Sequence, residues 1–134
     1  MVVPRMVKAA LRDEPLTVYG DGDQTRAFAC VGDIVNATVR LMEEPSAEGH
    51  TFNVGCDDPI TINELAGKIR RLCDSDSKFV HVPFKHVYDR SFEDIRNRHP
   101  DITKLKDTIG FTPGRDLDTA LLTVIEYYRS RLDV

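Results

Sequence analysis

The sequence predicts a small mixed α/β domain in which short strands alternate with about five helices. Apolar residues recur at helical spacing in five segments, and runs of β-branched and aromatic residues lie between several of them. Turn-forming residues such as Pro15, Gly49 and Pro83 separate the segments. The 134 residues match the usual size of one domain, so we expect residues 1–134 to form a single folded unit.

Composition and charge exclude several classes of protein. The chain is 41% hydrophobic and 30% charged, and no apolar run approaches the length of a membrane span. Its net charge is −4 and its basic residues are scattered, which argues against nucleic-acid binding. Residues 1–8 lack the apolar stretch of a secretory signal, so we expect a soluble cytoplasmic protein.

The cysteines and histidines do not predict a metal site or a disulfide. The cysteines are odd in number and widely spaced, so we expect buried free thiols: Cys30, Cys56 and Cys73. Three histidines lie in the second half of the chain, but no carboxylate or cysteine stands at ligand spacing beside them: His81, His86 and His99. The sequence therefore predicts no bound metal.

The first elements are predicted as a helix and two strands around a tight turn. The helix begins near Val3 and ends at residues 12–14, before Pro15. A strand over residues 16–19 follows, and a second strand is predicted over residues 26–31 because Phe28 and Val31 favour a pleated surface. Between them, residues 20–24 form an acidic turn that ends near Arg26, and an arginine at this place is suited to holding an anionic ligand.

The turn imitates the start of a dinucleotide-binding fingerprint. Gly20-x-Gly22 follows a strand, but the third glycine of the fingerprint is replaced by Thr25. The fingerprint also needs a helix after the glycines, whereas a strand is predicted here. We therefore expect no dinucleotide phosphate loop at this turn.

The middle of the chain is predicted as helix, strand, helix, strand. Asp33 is expected to cap a helix. Five residues are predicted to form its apolar face: Ile34, Val35, Thr38, Leu41 and Met42. A short strand is predicted over residues 51–55. Thr61 and Glu64 form a capping box that starts a helix with Ile62, Leu65, Ile69 and Leu72 inward, and residues 78–82 alternate as a strand.

The last third contains an aperiodic polar stretch and two helices. Residues 84–100 show no period, which is typical of a functional or disordered segment. Asp101 is expected to cap a helix over residues 102–108, and Gly110 suits the left-handed position after it. A final helix is predicted to reach residue 132, with an apolar stripe of Leu117, Leu121, Val124 and Tyr128.

These residues resemble a known family, the extended short-chain dehydrogenase/reductases that act on nucleotide sugars, and in particular its UDP-glucose 4-epimerase-like members. The shared motifs occur in the family's order over nearly the whole chain. They are Val2-Val3-Pro4-Arg5, Pro15-Leu16-Thr17-Val18-Tyr19-Gly20-Asp21-Gly22-x-Gln24-Thr25-Arg26-x-Phe28, Val31-x-Asp33-Ile34-Val35, Phe52-Asn53-Val54-Gly55, Ile60-Thr61-Ile62-x-Glu64-Leu65-Ala66, Phe92-Glu93-Asp94, Arg98-x-Pro100-Asp101-Ile102-x-Lys104-Leu105 and Gly110-Phe111-x-Pro113.

The resemblance implies the C-terminal, substrate-binding portion of such an enzyme, without the N-terminal NAD-binding Rossmann domain. Full-length relatives bind NAD through a glycine-rich loop and transfer protons through a Tyr-x-x-x-Lys pair. In this sequence, none of the four tyrosines is followed by lysine at the fourth position: Tyr19, Tyr88, Tyr127 and Tyr128. The chain is therefore expected to bind no NAD itself and, alone, to be inactive as an epimerase or dehydratase.

The resemblance also implies three substrate-binding residues and no catalytic one. Arg26 and Arg98 match the arginines that reach the diphosphate of a nucleotide sugar in the family, and Tyr19 matches a position where relatives place an aromatic or aliphatic residue near the nucleobase. Each residue also has an alternative role without a ligand. Arg26 would pair with the acidic turn at the surface, Arg98 would be solvated, and Tyr19 would be a half-buried strand residue. Asn97 departs from an arginine found in many relatives, and Arg96 is a candidate substitute for it.

Two alternatives come from other classes of protein. The chain is an interaction module if the face left without a Rossmann domain is apolar and exposed, and it would then form a homodimer or a complex with a separate NAD-binding polypeptide. An independent hydrolase is disfavoured, because the sequence has no Gly-x-Ser-x-Gly and its cysteines have no evident histidine partner.

Overall fold

The structure, a computed structural model, describes residues 1–84 and 95–132. In these residues it contains five α-helices and five short strands, which confirms the predicted mixed α/β class. In chain order they are α1 (Val2–Ala10), β1 (Leu16–Tyr19), β2 (Thr25–Ala27), α2 (Val31–Glu43), β3 (Pro59–Thr61), α3 (Ile62–Cys73), β4 (Phe79–Val82), β5 (Asn97–Arg98), α4 (Thr103–Ile109) and α5 (Leu117–Arg129). The motif at residues 92–94 and His86 lie outside the described residues.

The strands form two small sheets. β1 pairs with β4 in parallel, and α3 lies in the connection between them. In the second sheet β2 is central, antiparallel to β3 and parallel to β5. The register places Arg26 opposite Ile60 on one side and Arg98 on the other. The turn between β1 and β2 is thus flanked by two sheets, in which residues far apart in sequence lie next to one another.

Most of the core is a main cluster formed by α1, β1, α3 and α5. Its buried members are Met6, Val7, Ala10, Leu16, Val18, Ile62, Leu65, Ala66, Ile69, Cys73, Leu121 and Ile125. The predicted capping box is confirmed at the start of α3, where the Thr61 side chain accepts from the Glu64 N–H and the Glu64 side chain accepts from the Thr61 N–H. This cap fixes the start of the helix that carries the largest share of the cluster.

A second cluster joins α2 to α4. Its buried members are Ala37, Ile102, Leu105, Ile109 and Phe111, and Phe52 and Val54 pack against it. The left-handed residue predicted after α4 is confirmed, since Gly110 has φ 58°. This cluster is smaller than the main one, and a single residue of α2, Ala37, is fully buried in it.

The predicted strand over residues 26–31 is too long, and the predicted cap of α2 is wrong. β2 ends at Ala27, and Val31 already lies in α2. Cys30 is the N-cap, and its carbonyl accepts from the N–H groups of Asp33 and Ile34. The Asp33 carboxylate instead accepts from the backbone N–H of Arg115 at 3.3 Å, so a tertiary contact replaces the local cap.

The predicted apolar face of α2 is also wrong in part. Val35 and Met42 were expected to face the core, but they are 56% and 81% exposed. Ala37, which the stripe omitted, is the buried residue instead. The helix therefore turns the small side chain of Ala37 toward α4 and the second cluster.

The predicted strand over residues 51–55 does not form a ladder in the described parts of the chain. The segment is held by hydrogen bonds with the α4 region: the Lys104 ammonium donates to the Thr51 carbonyl at 3.1 Å, and the Asn53 side-chain amide donates to the Asp101 carbonyl. Phe52 and Val54 are anchored by packing rather than by strand pairing. Two strands were not predicted from the sequence, β3 and β5, and both pair with β2.

The last two helices agree with prediction except at their ends. α4 begins at Thr103, and Asp101 accepts from its N–H at 2.9 Å, one residue before the assigned N-cap. α5 ends at Arg129 rather than at residue 132. None of the helices in the described residues is both long and apolar enough to span a lipid bilayer.

Candidate functional site

The described residues line an open cavity of about 1370 Å³ where the two clusters meet. Leu121 of the main cluster and Val54 beside the second cluster both line it. Tyr19, Arg26 and Arg98, the three residues predicted from the sequence, all lie in its wall. Ligand cavities in proteins commonly measure 300–1,000 Å³, so this space is large enough for an extended ligand.

Arg26 and Arg98 form an arginine pair on adjacent strands. They are register partners of β2 and β5, and register partners lie about 5 Å apart with side chains on the same face of the sheet. The Arg26 guanidinium donates to the Thr25 carbonyl at 2.7 Å and to the Arg96 carbonyl at 3.3 Å. Arg98 is exposed, and its side chain makes no hydrogen bond or ion pair with another residue in the part of the chain that the structure describes.

The acidic turn pairs with Arg96 and not with Arg26. The Arg96 guanidinium lies 3.1 Å from a carboxylate oxygen of Asp21 and 3.9 Å from one of Asp23. The pKa of Asp21 is lowered, first by the N–H of Asp23, which donates to its carboxylate, and then by Arg96. Arg96 therefore points to the turn and does not line the cavity.

Tyr19 is held by two side chains to which the sequence assigned no role. The Arg5 guanidinium lies 4.3 Å from the centre of the Tyr19 ring and donates to the Thr17 carbonyl at 3.2 Å. The Gln24 amide donates to the Tyr19 carbonyl at 2.8 Å. Both residues belong to motifs quoted above, but no local pattern in the sequence indicates their contacts. Each side chain contacts β1 from outside that strand.

Arg5 and Gln24 also give the cavity wall two buried polar atoms without partners. Gln24 is 7% exposed, and neither its Oε1 nor the Nε of Arg5 has a hydrogen-bond partner among the described residues. A buried group of this kind is costly unless something else satisfies it. Both residues line the cavity, but these two atoms are themselves covered by protein.

The two glycines of the acidic turn are required by backbone shape and by close contacts. Gly20 and Gly22 have φ values of 74° and 80°. A Cβ on Gly20 would lie 2.4 Å from the Phe84 ring, and one on Gly22 would lie 2.2 Å from Oδ1 of Asn63. The turn leads into β2 and not into a helix, so these glycines do not fit the phosphate loop of a bound NAD.

The thiols and the described histidines lie in different environments. Cys73 is buried, which raises the pKa of its thiol, whereas Cys30 and Cys56 are only half-buried, contrary to prediction. The Arg115 guanidinium donates to the Cys30 thiol and lowers its pKa. His81 bonds Asn63, and His99 lines the cavity. Within residues 1–84 and 95–132, no three side chains of metal-binding type cluster together.

Comparison with solved structures places this fold in a class of sugar-nucleotide enzymes. The chain superimposes with a TM-score of 0.86 on UDP-glucose 4-epimerase from Thermotoga maritima, solved with UDP-glucose, at 28% identity over 99% of this chain and 40% of that one. The sequence model of the NAD dependent epimerase/dehydratase family matches residues 1–55. The chain is thus similar in sequence and in fold to enzymes of this family.

Among curated relatives, two decarboxylases are similar over nearly the whole chain. One is UDP-N-acetyl-alpha-D-glucosaminuronate decarboxylase from Bacillus cytotoxicus, 45% identical over 96% of this chain. Another is UDP-glucuronic acid decarboxylase 4 from Arabidopsis thaliana, 38% identical over 98% of this chain. The chain spans only 40% and 28% of the length of these relatives.

Proposed function

We propose that this chain is the nucleotide-sugar-binding part of a UDP-sugar epimerase, dehydratase or decarboxylase. The observation that carries the proposal is the arginine pair, which β2 and β5 hold side by side in the wall of the cavity. The names of the relatives support the ligand class, because they act on UDP-linked sugars.

The chemistry of the arginine pair suits a diphosphate. A guanidinium presents several N–H donors in one plane, and two of them reach different oxygens of one diphosphate without a metal ion. Each charge-assisted contact contributes about 1.5–3 kcal/mol where water is partly excluded.

The nucleobase is proposed to lie beside Tyr19. Tyr19 is half-buried in the cavity wall, and its ring is fixed by the Arg5 guanidinium. Leu16 and Gly20 donate their backbone N–H groups toward the β4 side of β1. The carbonyls of Thr17 and Tyr19 instead accept from the side chains of Arg5 and Gln24. A uracil ring carries both donors and acceptors on one edge, and the polar side chains of Arg5 and Gln24 line the same cavity.

We propose that these 134 residues bind the ligand without turning it over. Oxidation of a sugar needs a hydride acceptor and a tuned base, and the sequence contains neither the glycine-rich loop nor the Tyr-x-x-x-Lys pair. NAD and the proton-transfer residues would come from the rest of a full-length relative.

Titration of UDP against the chain and its Arg26→Ala variant tests the proposal. At UDP concentrations about 100 times the dissociation constant, the unfolding free energy should rise by about 2.7 kcal/mol. Arg26→Ala should weaken UDP binding by about 10- to 100-fold, since it removes one charge-assisted contact. An unchanged dissociation constant in the variant would return Arg26 to a surface role.

A second candidate function, an interaction module, is favoured by one face of α2. Val31, Val35, Val39 and Met42 form an apolar stripe along the helix and are 75%, 56%, 47% and 81% exposed. Exposed apolar stripes of this kind usually meet a partner. The partner we propose is the NAD-binding part of a family member, because the chain spans 40% of the length of such a relative.

Sedimentation distinguishes two possible partners of the apolar stripe, an NAD-binding polypeptide and a second copy of this chain. The chain alone should remain monomeric, and mixing it with a separately made NAD-binding portion of the Bacillus cytotoxicus relative should yield a complex that Val35→Lys weakens. Self-association that Val35→Lys abolishes would show a homodimer instead, and no association at all would remove this candidate.

A further inference from the structure

We infer that Arg96 is a positioning residue: it joins the acidic turn to β5 and thereby holds Arg98 beside Arg26. The inference rests on the proposed function, since it assigns Arg96 to the same diphosphate site. It goes beyond that proposal by giving a role to a residue that does not line the cavity.

Arg96 uses both its side chain and its backbone. Its guanidinium pairs with Asp21 at 3.1 Å, while its carbonyl accepts from the Thr25 N–H at 2.9 Å and from the Arg26 guanidinium at 3.3 Å. One residue therefore contacts the turn before β2, the backbone of β2 and one member of the arginine pair.

The strand that carries Arg98 has few other restraints among the described residues. β5 consists of two residues, and beyond the ladder the described residues join it to β2 by the side-chain hydrogen bond from Thr25 to Asn97 at 3.1 Å. A strand of this length does not fix its own register. The Arg96 contacts immediately before it therefore set where Arg98 lies.

The acidic turn is itself anchored to the main cluster. The Asn63 amide donates to the Asp21 carbonyl at 3.0 Å and to the Asp23 carboxylate at 3.1 Å, and the Asn63 N–H donates to the Gly22 carbonyl. Asn63 belongs to α3, whose Leu65 and Ile69 are fully buried. A continuous path thus runs from the main cluster through the turn and Arg96 to the arginine pair.

The charges of the turn also decide which arginines face the cavity. Asp21 and Asp23 lie 3.1 and 3.9 Å from Arg96 and draw its guanidinium away from the arginine pair. A direct contact between Arg96 and phosphate, the role suggested by the sequence, would require this ion pair to break. The geometry therefore favours an indirect role.

Binding of UDP and of uridine to single and double variants tests the inference. Arg96→Gln and Asp21→Asn should each weaken UDP binding by about 3- to 5-fold, the range typical of an exposed ion pair. The double variant should be no weaker than the single ones, because both substitutions remove one interaction. Affinity for uridine, which has no phosphate, should not change, and Arg96→Lys should recover most of the UDP affinity.

Arg71→Gln is the matched control. It makes the same change of charge and breaks an exposed ion pair with Asp118 between α3 and α5, away from the cavity. Its UDP affinity should equal that of the parent chain. Equal losses in Arg71→Gln and Arg96→Gln would show an effect of net charge and would overturn the positioning role.

Three other results would overturn it. A loss of UDP affinity in Arg96→Gln but not in Asp21→Asn would mean that Arg96 contacts phosphate directly. A matching loss of uridine affinity would mean general damage to the site, and unchanged UDP affinity in both variants would mean no role. Arg26→Ala separates this from the proposed function: if it leaves UDP binding intact, the diphosphate site itself is wrong.

Discussion

The main cluster and the α2 region differ in how completely they bury their apolar residues. In α3, five residues including Leu65 and Ile69 are buried, whereas in the longer α2 only Ala37 is buried. Val31 and Met42 of α2 remain 75% and 81% exposed. The main cluster is thus closed by α1, α3 and α5, and α2 keeps an apolar stripe that the described residues do not cover.

This difference shows why the candidate site lies where it does. The cavity has one wall on the closed main cluster and another on the α2–α4 side, where Ile34 and Val54 contribute. Tyr19 stands on β1, whose Leu16 and Val18 belong to the main cluster, whereas Arg26 and Arg98 stand on the small sheet of β3, β2 and β5. The α2 side offers a surface instead, and the following experiments test this division.

The largest expected effect is a core truncation in the main cluster. Leu65→Ala should lower the unfolding free energy by about 2–5 kcal/mol, because it leaves a cavity at a residue with no exposure. Met42→Ala in the apolar stripe should change it by less than about 0.5 kcal/mol. Urea denaturation measures both. Equal losses would show that α2 is packed in solution and would break the comparison.

The next effect concerns ligand binding. Arg98→Ala should weaken UDP binding by about 1.5–3 kcal/mol, as each charge-assisted contact contributes that much. Arg98 is exposed, so its removal should leave the unfolding free energy nearly unchanged. Calorimetric titration gives the affinity, and the same substitution at Arg70, exposed on α3 and outside the cavity, is the control. A loss in both variants would contradict a specific contact.

A smaller effect separates the helix caps of the two regions. Thr61→Ala should cost about 0.5–2 kcal/mol of unfolding free energy, because it removes one half of the capping box of α3. Asp33→Asn should have little effect, since Cys30 and not Asp33 caps α2. Thermal unfolding compares the two variants. A larger loss in Asp33→Asn would restore the cap expected from the sequence.

The smallest effect is a dependence on pH at the caps of α3 and α5. The pKa of Glu64 is lowered because it accepts from Thr61, and the pKa of Asp116 is lowered because it accepts from Thr119. Groups with a lowered folded pKa stabilise above the unfolded pKa near 4, and this contribution is lost as the pH falls through the folded value. Glu64→Gln should flatten the stability profile below about pH 4.5. A profile of the same slope in the variant would remove Glu64 as a source.

Local signals predicted the elements that depend on neighbouring residues. The Thr61-x-x-Glu64 box and the glycine at position 110 were recognisable because a cap uses side chains and backbone within one turn. The strand over residues 51–55 was wrong for the opposite reason. Strand pairing needs a partner elsewhere in the chain, and packing on α4 holds this segment instead.

The candidate site was predicted in part. Arg26, Arg98 and Tyr19 were chosen from motifs, and the structure brings all three into one cavity, although their roles in binding stay predictions. The sequence did not predict the contacts that Arg5, Gln24 and Arg96 make in the structure. Each acts on another element: Arg5 and Gln24 on β1, and Arg96 on the acidic turn. No spacing in the sequence reports such contacts.

By itself, the sequence determined the alternation of helices and strands, the caps of α3 and the turn with its two glycines. These follow from periodicity and from backbone preferences that act over a few residues. Only the tertiary structure decided which face of α2 is buried, that Arg96 rather than Arg26 meets the acidic turn, and that Arg26 and Arg98 are register partners. Residues 70 positions apart meet through packing and strand register, and these depend on the whole chain rather than on any local pattern.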